Sequence, residues 1–155
     1  MSRKSKKNKK KEFYNLDVFD AGAKGKSVAK APDGKIVFLS DAIPGDIVDV
    51  QTFKKRKGYY EARTTKFHKL SKYRTTPHCE HFGTCGGCKW QFMKYDKQLF
   101  FKQKEVTNNL LRIGKVELPE ISPIVGTKNP FFYRNKMEFS FSNSRWLSKE
   151  EINSE

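Results

Sequence analysis

Three cysteines fall within ten residues, in the run Cys79-Glu-His-Phe-Gly-Thr-Cys85-Gly-Gly-Cys88. This C-x5-C-x2-C spacing is suited to holding a soft metal. The C-x2-C half brings two thiolates together, and Gly86 and Gly87 between them let the backbone fold beneath an ion without steric penalty. An iron–sulfur cluster and zinc are both consistent with the spacing. Zinc could complete a Cys3His site from His78 or His81, which flank and interrupt the run. An odd number of cysteines so closely grouped does not describe a secreted disulfide framework. The plainest alternative is three reduced cysteines acting as small apolar residues.

A second chemistry lies in the charge. The formal net charge is +15, and it is concentrated in two stretches. Residues 1–11 carry seven basic groups and no acid, and residues 52–76 carry nine basic groups against the single acid Glu61. A surface polarised in this way seeks a polyanion, because neutralised phosphates release their counterions. In the second stretch the charge is interleaved with aromatic residues. Lys54, Lys55, Arg56 and Lys57 precede Gly58, and Tyr59, Tyr60 and Arg63 follow it. Cations for phosphates beside rings for bases are the ingredients of a single-strand nucleic-acid surface. Neighbouring strand residues face opposite ways, so one of the two tyrosines is expected to pack inward.

These residues need positioning elements. Residues 1–11 have no apolar residue apart from Met1 and read as a disordered basic arm. From 12 to 70 the chain shows short alternating segments at 13–20, 25–31, 35–40, 41–53 and 59–67. They are separated by turn signals such as Pro32-Asp33-Gly34, Pro44-Gly45 and Gly58. Five strands in so short a span predict a small closed, or nearly closed, β-barrel. The glycine-rich cysteine loop occupies 77–92. Tyr95, Leu99, Val106, Leu110 and Ile113 then recur at helical spacing and predict an amphipathic helix over 94–113, stopped by Gly114. Residues 137–142, Met-Glu-Phe-Ser-Phe-Ser, read as a strand. An aromatic content of 14% argues against wholesale disorder. No apolar run approaches the length of a membrane span and no secretory leader is evident, so a cytoplasmic monomer is expected.

Taken in order, these segments resemble the bacterial 23S ribosomal RNA (uracil-5-)-methyltransferase family. Residues 12–70 look like a TRAM domain, the OB-like RNA-binding barrel that opens those enzymes. The stretch 79–103, with Trp90, Gln91 and Gln103, is similar to the family's cluster loop and following helix. Residues 129–142 match its Tyr-Arg-Asn-Lys segment through Tyr133, Arg134, Asn135 and Lys136. The resemblance implies a mainly β chain with an α+β second part: the barrel, an iron–sulfur loop, a helix and the start of an α/β central domain over 93–155. It implies a 4Fe-4S cluster with Cys79, Cys85 and Cys88 as three of four ligands, the fourth lying downstream in the family. It also implies RNA contacts from Arg134, Asn135 and Lys136, and ribosomal RNA as partner.

The family transfers a methyl group from S-adenosylmethionine to uracil C5, after a cysteine attacks C6 of a flipped-out base. Within these 155 residues there is no glycine-rich cofactor turn and no further cysteine. No catalytic residue is therefore assigned here. The chain is expected to be the RNA-binding N-terminal portion of such an enzyme, without its Rossmann-like catalytic domain and inactive alone. The rival expectation is a self-sufficient, non-enzymatic RNA-binding module with zinc in the loop.

Overall fold

The computed structural model describes residues 10–133, together with 136, 138, 141–145, 147 and 151. Most of the basic arm, the candidate contacts Arg134 and Asn135, and Met137, Phe139 and Ser140 of the strand expected at 137–142 lie outside the described residues, while the described Glu138, Phe141 and Ser142 are not part of a strand.

Five strands form a closed barrel: β1 (Glu12–Gly22), β2 (Lys26–Lys30), β3 (Ile36–Leu39), β4 (Ile47–Lys55) and β5 (Tyr59–Lys69). Around the barrel the order is β1-β2-β3-β5-β4. All neighbours are antiparallel except β3 and β5, whose parallel pairing aligns Ile36 with Tyr59 and Phe38 with Glu61. Closure removes the free edges that short strands would otherwise expose. Period-two alternation fills the interior with Leu16, Val18, Ala29, Val37, Leu39, Val48, Val50, Tyr60 and Ala62. Where alternation would fail on β1, a bulge between Phe13 and Leu16 restores it. Asn15 takes the left-handed conformation there at φ 52, one that asparagine tolerates better than most residues. Its N–H donates to Asp49 Oδ1 at 2.8 Å.

A second apolar cluster lies outside the barrel interior, formed by Ala21, Ile43, Trp90, Phe92, Met93 and Phe101, with Tyr73 and Phe82 against it. It joins the cysteine loop and helix α1 (Tyr95–Asn109) to the barrel. The indole N–H of Trp90 donates to the carbonyl of Gly25 at 3.1 Å. Gly25 sits at φ +69, and a Cβ there would meet Lys89 Cβ at 2.5 Å, so both its conformation and the close approach require glycine. From α1, Gln98 donates to the carbonyls of Trp90 and Met93, and Lys104 pairs with Asp20 at 2.9 Å.

The helix differs from expectation in two respects. Its one buried residue is Phe101, while Val106, Leu110 and Ile113 are exposed. The helix touches the barrel through a narrow stripe that reaches Lys104, and the apolar residues from Val106 onward fall past that contact. Regular α-helix ends at Asn109 and is continued by a wider turn over Leu110–Gly114. The left-handed residue that terminates it is Lys115, at φ 51, rather than Gly114.

The connection from barrel to loop is held by a buried carboxylate. Asp46 accepts from the Ile43 and Ser71 backbone N–H groups, and from Arg74 Nε at 2.9 Å and Nη2 at 2.7 Å. The Arg74 guanidinium lies between the rings of Phe67 and Phe92, 4.8 and 5.1 Å from their centroids. One cation thus links β5, the Asp46 turn and the second core.

Candidate nucleic-acid interface and cysteine loop

The basic segment Lys54–Lys57 ends β4 and turns the β4–β5 hairpin, which Arg56 N–H closes onto the Tyr59 carbonyl at 2.9 Å. Lys55, Arg56 and Lys57 are exposed and form no ion pair among the described residues. Lys54 is different: its ammonium lies 3.1 Å from Glu61 Oε1, while Lys26 lies 2.9 Å from Glu61 Oε2. The hydrogen bond from Lys26, followed by that from Lys54, holds the Glu61 carboxyl below the usual carboxylate range. Glu61 therefore stays ionised and offsets part of the positive field at the root of the hairpin. The tip carries the net charge.

The two tyrosines separate as strand alternation requires. Tyr59 faces outward and meets Phe38 of β3 edge to face, with ring centroids 5.3 Å apart. Tyr60 is fully buried, and its hydroxyl donates to Asp33 Oδ2 at 2.7 Å. The assignment of Tyr60 as an RNA contact is thus corrected: no base can reach its ring. Arg63 is exposed and donates to Gln51, which in turn donates to Glu12, forming a polar chain across β5, β4 and β1. The Phe38–Tyr59 pair and the Lys26–Glu61 contact depend on the β3–β5 closure, which no local sequence signal marks, whereas Lys54–Glu61 follows from the β4–β5 register.

The cysteines occupy a loop rich in turns. Cys79 is partly buried, its N–H donating to Gln91 Oε1 at 3.1 Å, while Cys85 and Cys88 are exposed; all three are free thiols. Gly83 and Gly86 take positive φ, +86 and +74. Among the described residues, no three cysteine, histidine or carboxylate side chains converge as a metal-binding group. By chemistry the donor set suits a soft metal. In this loop conformation its members are not gathered. Phe82 stacks edge to face on Phe92 at 5.2 Å, so the loop is anchored through the same apolar cluster as Trp90. His78 is engaged elsewhere, with its ring 4.7 Å from that of Phe131 and 5.5 Å from that of Phe132. That contact brings the segment before Tyr133 back onto the start of the cysteine loop. Tyr133 is exposed, and the Lys136 ammonium lies 3.9 Å from Glu138.

A five-stranded barrel closed through a parallel β3–β5 pair, with a cationic hairpin and outward aromatic residues, is an OB-like nucleic-acid-binding module. Residues 9–65 match the TRAM domain family. The chain is 53% identical over 130 residues to an uncharacterized RNA methyltransferase of Bacteroides thetaiotaomicron, covering 84% of this chain and 28% of that protein. It is 39% identical over 148 residues to one of Chlorobaculum tepidum, covering 95% of this chain and 31% of the relative. It is also 37% identical over 130 residues to a 23S rRNA (uracil(1939)-C(5))-methyltransferase of Stenotrophomonas maltophilia, covering 82% of this chain and 29% of that protein. The chain belongs to this TRAM-bearing RNA methyltransferase family, and spans about three tenths of the length of the relatives it matches. Among the described residues, no helix is long and apolar enough to cross a membrane.

Proposed function

We propose that this chain is the RNA-binding N-terminal part of a ribosomal RNA uracil-C5 methyltransferase that uses S-adenosylmethionine, and that its cysteine loop holds a 4Fe-4S cluster. The observation that carries the RNA reading is the unpaired cationic tip of the β4–β5 hairpin beside the outward Phe38–Tyr59 pair, on a TRAM barrel. Lys55, Arg56 and Lys57 contact phosphates, with Lys54 and Arg63 behind them, and Tyr59 offers a face to a base. Arg134, Asn135 and Lys136 form the second RNA contact, in the segment that approaches the loop through Phe131 and His78. Methyl transfer, the cofactor site and the catalytic cysteine belong to the greater length found in the relatives. The protein acts in the cytoplasm as a monomer.

Replacing Lys55, Arg56 and Lys57 by alanine tests the reading. Three lost phosphate contacts should flatten the slope of log affinity against log salt by about 2 for a single-stranded RNA. Binding titrations at several salt concentrations measure this. An unchanged slope and affinity would remove the hairpin from the interface.

Cys79, Cys85 and Cys88 would supply three ligands to the cluster, which when bound acts as a rigid cross-link of the loop; methyl transfer to uracil requires no net electron. Protein purified without oxygen should be brown and contain about four irons per chain. Cys85→Ser should abolish both colour and iron while leaving the barrel folded. One colourless zinc per chain would support the Cys3His alternative instead, although His78 is already engaged with Phe131 and Phe132.

A further inference from the structure

Phe53 has no evident packing role. It lies in β4 with 59% of its surface exposed and makes no ring contact among the described residues. The β4–β5 register shows how it comes to stand out. Thr52 pairs with Ala62 and Lys54 with Glu61, so Phe53 has no partner on β5 and forms a bulge. A bulge of this kind re-aims a side chain and is common beside functional surfaces. A lone exposed apolar residue is ordinary on any protein. What distinguishes this one is that Lys54 and Arg63 flank it, Lys54 held by Glu61 and Arg63 by Gln51. Lys54 follows it directly. Across the sheet, the Lys11 backbone exchanges hydrogen bonds with Thr52: the Thr52 N–H donates to the Lys11 carbonyl, and the Lys11 N–H donates to Thr52 Oγ1, both at 2.8 Å, while the Lys11 ammonium turns to the Tyr60 hydroxyl at 3.5 Å. Arg63 stands on the neighbouring strand, joined to Gln51.

We infer that Phe53 is a stacking site for one unpaired RNA base, distinct from the Tyr59 face. The phosphates on either side of that base are taken by Lys54 and Arg63. A base presents an apolar π-face attached to anionic phosphates, and this is the complement of a bare ring among cations. The occupant is single-stranded or splayed RNA, since bases in an A-form duplex are stacked on one another and cannot accept a protein ring. Placing Lys11 beside Thr52 also joins the basic arm, at its root, to the basic hairpin. The two charged stretches of the sequence thereby meet at Phe53. The inference rests on the RNA-binding reading above.

The test compares the full chain with its Phe53→Ala, Phe53→Leu and Phe53→Tyr variants. The probes are a short oligouridylate and a ribose-phosphate oligomer of equal length without bases. Phe53→Ala should weaken oligouridylate binding about 5- to 150-fold, as expected for loss of one stacked base. Its salt slope should not change, because no charge is removed. Phe53→Tyr should keep the affinity, Phe53→Leu should lose most of it, and the abasic oligomer should bind all four proteins alike. The exposed ring predicts an unaltered melting temperature in every variant. Unchanged oligouridylate affinity in Phe53→Ala would overturn the inference, as would an equal loss on the abasic oligomer or full retention in Phe53→Leu. If those results came with a normal loss in the Lys55, Arg56 and Lys57 variant, RNA binding by the hairpin would stand and only the stacking site would fall.

Discussion

Asp46→Ala is expected to destabilise the protein by about 3–5 kcal/mol, the cost of breaking a buried ion pair from one side. The Asp46 side chain is wholly buried and accepts four hydrogen bonds, two from backbone N–H groups and two from one guanidinium. Alanine leaves the Ile43 and Ser71 N–H groups without their acceptor. It also leaves the Arg74 charge, whose side chain is only 22% exposed, held between two aromatic rings with no counterion. Arg74→Met should cost less. Methionine can occupy the space between Phe67 and Phe92, and the carboxylate keeps its two backbone donors. In the double variant the losses should not add, because the partners share one network. Denaturant unfolding of the three variants measures this. Additive losses, or a loss below 1 kcal/mol for Asp46→Ala, would show that the contact is peripheral to stability.

The same pair illustrates what the sequence carried and what it concealed. The five strands were legible because alternation and turn residues are local signals. The segments expected at 13–20, 25–31, 35–40, 41–53 and 59–67 correspond closely to β1–β5. That one of the two tyrosines would point inward was also legible, since it follows from pleating alone. Which one did so depended on the register of β5 against β3 and β4. Asp46 and Arg74 lie 28 residues apart and sit in a turn and a connector, where no periodicity marks a partner. Asp46 only follows the Pro44-Gly45 turn signal, and Arg74 is one more cation in the basic stretch. The helix erred for a related reason. Its apolar spacing was real, but burial was decided by how much of the helix reaches the barrel, and that reach includes Phe101 and stops short of Val106.

The cysteine loop shows a different limit. Spacing defines a donor set and says nothing about whether the sulfurs converge. The apolar residues around the loop were more informative. Phe82, Trp90 and Phe92 join a single cluster with Met93 and Phe101. The loop is therefore tethered on its Phe82–Phe92 side by ordinary core packing, while Cys85 and Cys88 stay exposed. A tether of this kind fixes the base of the loop and leaves the thiols of Cys85 and Cys88 accessible to solvent.

That arrangement makes Trp90→Ala the informative test of how the two cores are coupled. Trp90 is 9% exposed and donates its indole N–H to Gly25 across 65 residues of sequence. Truncating a buried aromatic to alanine costs about 3–5 kcal/mol. The barrel interior is a separate cluster and contains no atom of Trp90. The loss should therefore fall on docking of the loop and α1, with the barrel left intact. Hydrogen exchange should report it as strongly faster exchange at Met93, Lys94 and through α1, against near-normal protection in β2 and β4. Gly25→Ala should give the same pattern from the barrel side, since its Cβ would displace Lys89 and the strained φ would persist. Equal loss of protection in the barrel strands would instead mean that the two cores unfold as one unit. In that event the cysteine loop would belong to the folding core of the RNA-binding domain, and a cluster held there would stabilise the barrel directly.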